Sequence, residues 1–256
     1  MLKKYAWMIL FLFFAGGFSG KAAMVHDYTF DASDPYADSV GSADLTLYGS
    51  VGSITMNSGG YASFSGADSS AADVVYLSSS AAISNYNPFV LSLWFRISTT
   101  NQLDYSSMFS SNPSTGDGFQ INFLGGWLSV NTDASSGQVL NVIPTADLAT
   151  NQWHLITIMQ DPNAAEGGQV WLDDTKYGST NAIFGALNAF RLGVNRKGKK
   201  GFYGDLSEVS IYDGESWDST KQDAAFSTGP VVPEPAVFSF ILFSSVAGLF
   251  VRRIFK

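Results

Sequence analysis

The stretch that decides the fold class is Phe89–Ile97, which reads FVLSLWFRI. Five apolar residues stand at every second position of this stretch: Phe89, Leu91, Leu93, Phe95 and Ile97. The positions between them include Ser92, Trp94 and Arg96, which fall on the other face of an extended chain. An alternation of period two predicts a β-strand whose apolar face is buried.

Shorter stretches of the same kind recur on both sides of this one. They combine alternation with aromatic and β-branched residues and are separated by turn residues. These stretches are Val25–Phe30, Asp44–Tyr48, Gly60–Phe64, Val74–Leu77, Phe119–Phe123, Trp127–Val130, Trp153–Met159, Gln169–Leu172, Phe190–Val194 and Phe202–Tyr212. About ten to twelve strands without a long helix predict an all-β sandwich.

Turn residues and one polar segment add local detail to this prediction. Gly125-Gly126 and Asp173-Asp174 each separate two of the stretches, which indicates two hairpins. A short helix is predicted over Asp218–Phe226, with Ser216 as its cap. Lys221 and Gln222 are expected to face solvent on this helix.

Composition excludes several classes of site. The 256 residues include no cysteine, so disulfides, thiolate metal sites and cysteine nucleophiles are absent. Two histidines leave little for a histidine-rich metal centre. The net charge is −8, and residues 24–229 hold 21 acidic and 8 basic side chains, a net charge of −13. This acidic balance argues against nucleic acid as a partner.

The N-terminus has the three parts of a secretory signal peptide. Lys3 and Lys4 precede an apolar stretch over residues 5–18, and small residues follow up to Ala23. The apolar stretch is short for a membrane span. We therefore expect a signal peptide over residues 1–23 that is cleaved after Ala22 or Ala23; an uncleaved membrane anchor is the alternative.

The C-terminus combines a proline-rich triplet, an apolar run and a basic end. Pro233-Glu234-Pro235 precedes 16 uncharged residues, 236–251. As a helix this run would be about 24 Å long, just short of a hydrocarbon core. The basic tail is Arg252, Arg253 and Lys256. Under the positive-inside rule this tail stays in the cytoplasm and the preceding domain lies across the membrane.

These three parts, in this order over residues 232–256, resemble the PEP-CTERM sorting signal of Gram-negative bacteria. The resemblance implies that an exosortase recognises Pro233, Glu234 and Pro235 and removes the tail. The precursor would be anchored in the inner membrane, and the product would reach the outer cell surface or the extracellular matrix. A stiff linker before a permanent transmembrane anchor is the alternative.

The domain between the two ends, residues 24–229, has a resemblance of its own. Leu91–Phe95, the pair Gln152–His154 and Gln169–Asp174, and Phe202–Tyr212 resemble the strand motifs of laminin-G-like, concanavalin A-like jelly rolls of bacterial surface proteins. The chain departs from the family pattern at Asp174, where glycine is usual, and at Ser207, where aspartate is common. The resemblance implies a jelly-roll β-sandwich.

Catalytic patterns are weak in this sequence. The resemblance implies that glycosidases of this fold carry Glu-x-Asp-x-x-Glu on one strand, and no such string is present. The nearest pair is Asp205 and Glu208, which regular alternation would place on opposite faces, one in a turn and one at a strand edge. Gly-x-Ser-x-Gly is absent, and His154 is expected to be a half-exposed sheet histidine. The sequence thus predicts a non-catalytic domain.

One calcium ion is a further expectation from the family, which sometimes holds such an ion in its loops. Calcium needs 6–8 oxygen ligands. Asp27, Asp31 and Asp117 lie in oxygen-rich loops, although none of these loops has EF-hand spacing. Solvated turn residues are the alternative.

The residues most suited to binding a ligand are four cations between two predicted strands. Arg196, Lys197, Lys199 and Lys200 make up half of the basic residues of 24–229. They could bind an anionic polysaccharide or a phosphate group by charge, or form a solvated loop tip. Four tryptophans could stack on sugar rings or lie in the core: Trp94, Trp127, Trp171 and Trp217.

Taken together, the sequence predicts an exported, surface-sorted, non-catalytic module that binds carbohydrate or extracellular matrix. A diverged glycan-processing enzyme and a purely structural matrix component are the alternatives, because a fold alone does not determine function.

Overall fold

The computed structural model describes residues 23–82, 88–111, 118–132, 139–163, 167–180, 187–214 and 217–230. These residues form two β-sheets whose apolar faces pack against each other, and every pair of neighbouring strands is antiparallel. The predicted all-β jelly-roll sandwich is confirmed.

The first sheet has eight strands. Their spatial order is β13 (Thr175–Thr180), β12 (Gly168–Leu172), β11 (His154–Gln160), β6 (Phe89–Ile97), β15 (Tyr203–Asp213), β4 (Tyr61–Ser65) and β3 (Ile54–Asn57). The eighth strand, β1 (Ala23–Tyr28), pairs with the end of β15 that β4 leaves free.

The second sheet has seven strands. Their spatial order is β10 (Val139–Pro144), β9 (Trp127–Thr132), β8 (Phe119–Leu124), β7 (Ser107–Ser111), β14 (Phe190–Leu192), β5 (Tyr76–Ser79) and β2 (Thr46–Tyr48). A short 3-10 helix, Thr145–Asp147, follows β10. Gly125 and Gly126 join β8 to β9 with φ angles of 58° and 80°, which is the left-handed hairpin geometry that a Gly-Gly pair favours.

The core lies between the sheets and follows the alternation read from the sequence. Phe89, Leu91, Leu93, Phe95 and Ile97 of β6 are all buried in one cluster with residues of the second sheet. Phe119 stacks on Phe89 across the sandwich, with ring centroids 6.1 Å apart. Burial of apolar surface of this kind is the main force that holds the two layers together.

The outer face of the eight-stranded sheet is partly covered by α1 (Ser219–Thr228). Phe226 of this helix stacks on Trp94, with ring centroids 5.8 Å apart. Asp218 caps the helix by accepting a hydrogen bond from the backbone N–H of Lys221, which replaces the predicted cap at Ser216. Gln222 is fully buried, contrary to the prediction that it faces solvent, because it accepts from the Trp217 indole N–H and donates to the carbonyl of Asp173.

The connection from β1 to β2 is held by one buried carboxylate, that of Asp38. Its two oxygens accept hydrogen bonds from the backbone N–H groups of Asp27, Gly41 and Ala43 at 2.8–3.1 Å. The ring Nδ1 of His26 lies 2.6 Å from the Asp38 carboxylate. Burial opposes ionisation of Asp38, but these hydrogen bonds outweigh it and hold its pKa at about 2.

The two predicted sorting segments, residues 1–23 and 230–256, lie outside the described residues except for Ala23 and Pro230. Pro233, Glu234, Pro235 and the basic tail are among the residues that are not described. Within the described ranges, the structure contains no helix that is long and apolar enough to cross a membrane.

Candidate functional site

A depression with a polar lining lies on the outer face of the seven-stranded sheet, and we call it the polar groove. Its volume is about 510 Å³. It is lined by Tyr105, Gln120, Leu124, Asn131, Thr132, Val139, Asn195, Arg196, Lys197, Lys199 and Lys200. All four cations singled out from the sequence therefore lie around one groove.

The floor of the polar groove consists of two amide side chains on neighbouring strands. Gln120 of β8 is paired in register with Asn131 of β9, and their side chains are 6% and 8% exposed. The flanking residues Phe119 and Ile121 point into the core, so alternation along β8 turns Gln120 outward. These two amide groups therefore lie on the outer face of the sheet but are shielded from bulk water.

The orientation of Gln120 is set by the backbone N–H of Arg196, which donates to its Oε1 at 3.2 Å. The hydroxyl of Ser107 lies 3.2 Å from the same oxygen, whereas the hydroxyl of Ser110 donates to the carbonyl of Val194 at 2.9 Å. The amide nitrogen of Gln120 has no partner among the described residues. Because the oxygen already accepts a hydrogen bond, the nitrogen is left to donate to a ligand in the groove.

Asn131 leaves an acceptor without a partner at the same place. Its Nδ2 donates to the Oδ1 of Asn122 at 3.1 Å. The Oδ1 of Asn131 is buried and has no hydrogen-bond partner among the described residues. An unmet buried polar atom costs about 1–3 kcal/mol, so a polar partner that reached this amide at the floor of the groove would be stabilised.

The cations are carried by a short turn that we call the basic loop, residues 195–200. The Oδ1 of Asn195 accepts hydrogen bonds from the backbone N–H groups of Lys199 and Lys200, at 3.0 and 3.4 Å. Gly198 has a φ of 69°, and an added Cβ would lie 2.9 Å from the carbonyl oxygen of Ala72. The loop is thus ordered by its own hydrogen bonds and by close packing.

Only part of the charge on the basic loop is neutralised. The Nζ of Lys200 lies 2.5 Å from the carboxylate of Asp68. Lys197 and Lys199 have no ion-pair partner among the described residues. Their positive charge stands out on a domain whose net charge is −13 and would attract an anionic ligand.

The rim of the groove holds an exposed aromatic ring in a strained conformation. Tyr105 is 52% exposed and has a φ of 65°, a region that residues other than glycine seldom adopt. Its backbone N–H donates to the carbonyl of Phe123 at 2.7 Å, which keeps it in place. Strained residues that the surrounding structure retains often occur at ligand sites.

This architecture agrees with the comparison of the chain with known families. The sequence model Laminin_G_3, described as the concanavalin A-like lectin/glucanases superfamily, matches residues 68–217, more than half of the chain. The chain belongs to this superfamily. No curated protein sequence matches it.

Solved structures with a similar fold include carbohydrate-related and toxin domains. Domain 4 of AbnA, a GH43 extracellular arabinanase from Geobacillus stearothermophilus, was solved in complex with arabinotriose. It is 19% identical, with a TM-score of 0.56 over 79% of this chain and 98% of that domain. A structure of botulinum neurotoxin type C, whose cell entry is described as dependent on interaction with two ganglioside molecules, is 13% identical, with a TM-score of 0.61 over 80% of this chain. The binding domain of serotype D is 13% identical, with a TM-score of 0.60 over 81% of this chain.

The present chain spans about half of each of these two toxin structures, 51% and 52%. At identities this low, the likeness shows a shared fold and does not transfer a ligand.

Asp205 and Glu208, the two carboxylates nearest to the glycosidase pattern, do not form a pair of that kind. Asp205 and Glu208 both lie within β15, so the prediction of a turn for one of them is wrong. A β-bulge between Leu206 and Val209 shifts the alternation, so that both carboxylates lie on the outer face rather than on opposite faces. They have different partners, however: Asp205 pairs with Arg96, and Glu208 contacts the Ser210 hydroxyl. Burial and the nearby Asp27 carboxylate raise the pKa of Glu208.

His154 is buried, 7% exposed, rather than half-exposed as the sequence predicts. Its Nδ1 lies 2.9 Å from the Asp173 carboxylate, and its Nε2 lies 3.0 Å from the carbonyl oxygen of Ala149. Burial acts to lower the pKa of His154, but these two acceptors and the charge of Asp173 together raise it above the ordinary value. The histidine ties β11 to the β12–β13 hairpin instead of activating a nucleophile.

The two positions at which the chain departs from the family pattern have structural roles. The residue in the left-handed conformation of the β12–β13 hairpin is Asp173, with a φ of 54°, and not Asp174. Asp173 is retained there by a hydrogen bond from the backbone N–H of Leu155 at 2.9 Å. Ser207 is fully buried and donates to the carbonyl of Gly60 at 3.1 Å, a site where a carboxylate could not donate.

The carboxylates proposed for calcium are separately bonded. Asp27 contacts the hydroxyls of Ser39 and Ser210, each at 2.9 Å, whereas Asp31 accepts from Ser33 in its own turn. Asp117 lies outside the described residues. The described ranges contain no group of three or more histidine, aspartate or glutamate side chains that could hold a metal ion.

Three of the four tryptophans predicted as core or sugar-stacking residues are buried: Trp94, Trp171 and Trp217. Trp127 is 37% exposed at the start of β9. The polar floor of the groove was not found from the sequence. Polar residues at alternate positions of β8 and β9 indicate that this face of the strands points outward, but they do not show that the face is buried in a groove.

Proposed function

We propose that this chain is an exported, non-catalytic module that binds an extracellular polysaccharide in the polar groove. The observation that carries the proposal is the floor of the groove, where one amide donor of Gln120 and one amide acceptor of Asn131 have no partner among the described residues. Lys197 and Lys199, which have no ion-pair partner in the same part of the chain, lie beside them. Fixed amide groups of this kind suit sugar hydroxyls, and cations suit the carboxylates of an acidic polysaccharide.

Two further features support this function. The exposed ring of Tyr105 at the rim can pack on the apolar face of a sugar. A domain of similar fold was solved in complex with arabinotriose, and botulinum neurotoxin type C, which has a similar fold, is described as interacting with two ganglioside molecules. Both ligands contain carbohydrate, so this fold is compatible with a glycan ligand.

The proposal includes the route by which the module reaches its ligand. A signal peptide over residues 1–23 exports the chain in a Gram-negative bacterium, and the C-terminal helix anchors the precursor in the inner membrane. An exosortase recognises Pro233, Glu234 and Pro235 and releases the domain to the cell surface or matrix. Replacement of Glu234 by alanine should leave the tail uncleaved, as detected by the mass of the chain isolated from cells; cleavage at an unchanged rate would refute this route.

Binding is tested by calorimetric titration of the full chain in a detergent without a sugar headgroup. Polygalacturonate represents acidic polysaccharides, and arabinan and dextran represent neutral ones, each with and without Ca²⁺. We expect Lys197→Ala to weaken binding of the acidic polymer about three- to ten-fold, since one charged hydrogen bond contributes about 1 kcal/mol at a surface. Lys176→Ala, which removes the same charge on β13 away from the groove, is the matched control.

The outcomes separate this function from the alternatives. Absence of binding to every polymer, with and without Ca²⁺, would overturn the proposal and favour a structural matrix component. Release of reducing ends during the incubation would show a glycan-processing enzyme instead. A Ca²⁺ requirement for binding would support the predicted ion.

A further inference from the structure

A second depression, of about 240 Å³, lies on the outer face of the eight-stranded sheet, beside β3, β4 and β15. We call it the hydroxyl pocket, because side-chain hydroxyls dominate its lining: Ser53, Thr55, Ser63, Ser65 and Ser98. Another part of this sheet face is covered by α1, which stacks Phe226 on Trp94. The hydroxyl pocket lies on an uncovered part of the face, on the opposite sheet from the polar groove.

Asp205 lies in this pocket in a fixed orientation. The Nε and Nη2 of Arg96 lie 2.8 and 2.7 Å from its Oδ2, and the Ser63 hydroxyl lies 2.5 Å from its Oδ1. Ser63 in turn accepts from the Nδ2 of Asn57 at 2.9 Å. These contacts use three of the roughly four acceptor positions of a carboxylate, so one position on Oδ1 remains for another donor.

Arg96 is held as firmly as the carboxylate that it neutralises. Its guanidinium packs on two neighbouring aromatic rings, 5.2 Å from the centroid of Tyr61 and 4.8 Å from that of Trp153. The guanidinium cannot swing away from Asp205 without losing both ring contacts. The described residues that line the pocket therefore supply a fixed acceptor but no free positive charge, and an anionic ligand would gain little there.

An aromatic ring is fixed at the edge of the hydroxyl pocket. Tyr203 is 44% exposed. Its backbone is bound on both sides by the Gln102 side chain, which donates to its carbonyl at 2.7 Å and accepts from its N–H at 3.2 Å. Its Cβ packs against Gly66, where an added Cβ would lie 2.8 Å away. The surrounding residues thus hold an exposed ring in place without burying it.

We propose that the hydroxyl pocket is a second binding site, which takes one ring of an uncharged saccharide. The sugar ring stacks on Tyr203 and donates a hydroxyl to Asp205, and the serine and threonine hydroxyls bond its other oxygens. Hydroxyl groups both donate and accept, which matches a ligand that carries hydroxyls on every side. The volume is below the roughly 300–1,000 Å³ of pockets for drug-sized ligands, which suits a single ring or two.

The test uses saturation-transfer NMR on the full chain in a detergent without a sugar headgroup. Arabinotriose, xylotriose, cellotriose and maltotriose serve as neutral probes at millimolar concentration. At least one should receive saturation, and Tyr203→Ala should weaken its binding at least five-fold, while Tyr203→Phe retains it because the ring remains. Tyr177→Ala, which removes a ring that is 38% exposed on β13, is the matched control.

Two results would overturn this second site. One is the absence of saturation transfer to all four trisaccharides; the other is an equal effect of Tyr203→Ala and Tyr177→Ala. Unchanged melting temperatures show that both variants are folded. Lys197→Ala should leave trisaccharide binding intact, so failure of the polar groove and failure of the hydroxyl pocket can be told apart.

Discussion

Replacement of Asp38 by asparagine tests whether one buried carboxylate holds the connection between β1 and β2. The Asp38 side chain has no exposed surface, and its pKa of about 2 lies below the ordinary 3.8. That difference corresponds to about 2 kcal/mol of stability at neutral pH. Asparagine keeps the shape but places an amide N–H against a backbone donor, such as that of Ala43. We expect the free energy of unfolding to fall by about 2–3 kcal/mol at pH 7.

The effect should depend on pH with a definite sign. Because the folded pKa of Asp38 is depressed, its stabilisation is complete above about pH 4 and is lost as the pH falls towards 2. The asparagine variant has no such loss, so the difference between the two proteins should shrink by about 2 kcal/mol over this window.

The assay is urea unfolding followed by tryptophan fluorescence, on the full chain in a non-denaturing detergent, from pH 7 to pH 2. Asp147→Asn is the control, since Asp147 is exposed on the 3-10 helix after β10. A destabilisation below about 0.5 kcal/mol at pH 7, within the range of ordinary surface changes, would refute the reasoning. So would a difference between the two proteins that stays constant from pH 7 to pH 2.

Two further predictions concern a histidine and a glycine. His154 has a raised pKa, so its stabilisation is complete below about pH 6.5 and is lost as the pH rises through its folded pKa. Melting temperatures from pH 5 to 9 should show this loss in the native chain and not in His154→Gln; parallel curves would contradict it. Gly193→Ala should lower the free energy of unfolding by more than about 2 kcal/mol, because φ is +81° and the added Cβ would lie 2.1 Å from the Phe64 ring. Gly214→Ala, with a φ of +73° and open space around it, should cost about 1 kcal/mol in the same urea assay, and equal losses would refute the role of packing.

The strand that fills the core illustrates what can be read from residue order. Phe89–Ile97 was assigned to a strand with its buried face correctly identified, because period-two alternation is a property of neighbouring residues. The same holds for the turn at Gly125-Gly126, where two glycines permit the backbone that a tight hairpin requires.

Residues whose surroundings come from distant segments were predicted less well. Gln222 was expected to face solvent, and it is buried because α1 folds back onto the outer face of the eight-stranded sheet. Asp205 and Glu208 were assigned to opposite faces, and a bulge in β15 places both on one face. A bulge depends on how two strands pair, which the order of residues along one strand does not contain.

The candidate sites divide in the same way. The basic loop was recognised from four cations in six residues, because charge clustering is visible along the chain. The buried floor of the polar groove, Gln120 and Asn131, could not be predicted in this way. It depends on the register between β8 and β9 and on the folding of residues 195–200 over the sheet. Asp205, Arg96 and Tyr203 of the hydroxyl pocket likewise meet across β6 and β15.

The amino-acid sequence by itself determined the all-β class, the inward face of β6 and the place of the positive charge, because these follow from alternation and composition. The tertiary structure alone decided which polar groups share a cavity, which carboxylates are neutralised and which aromatic rings stay exposed. The physical reason is that these properties depend on burial and on hydrogen-bond partners far apart in the chain, such as Ser63 and Asp205, which become neighbours only when the sheets form.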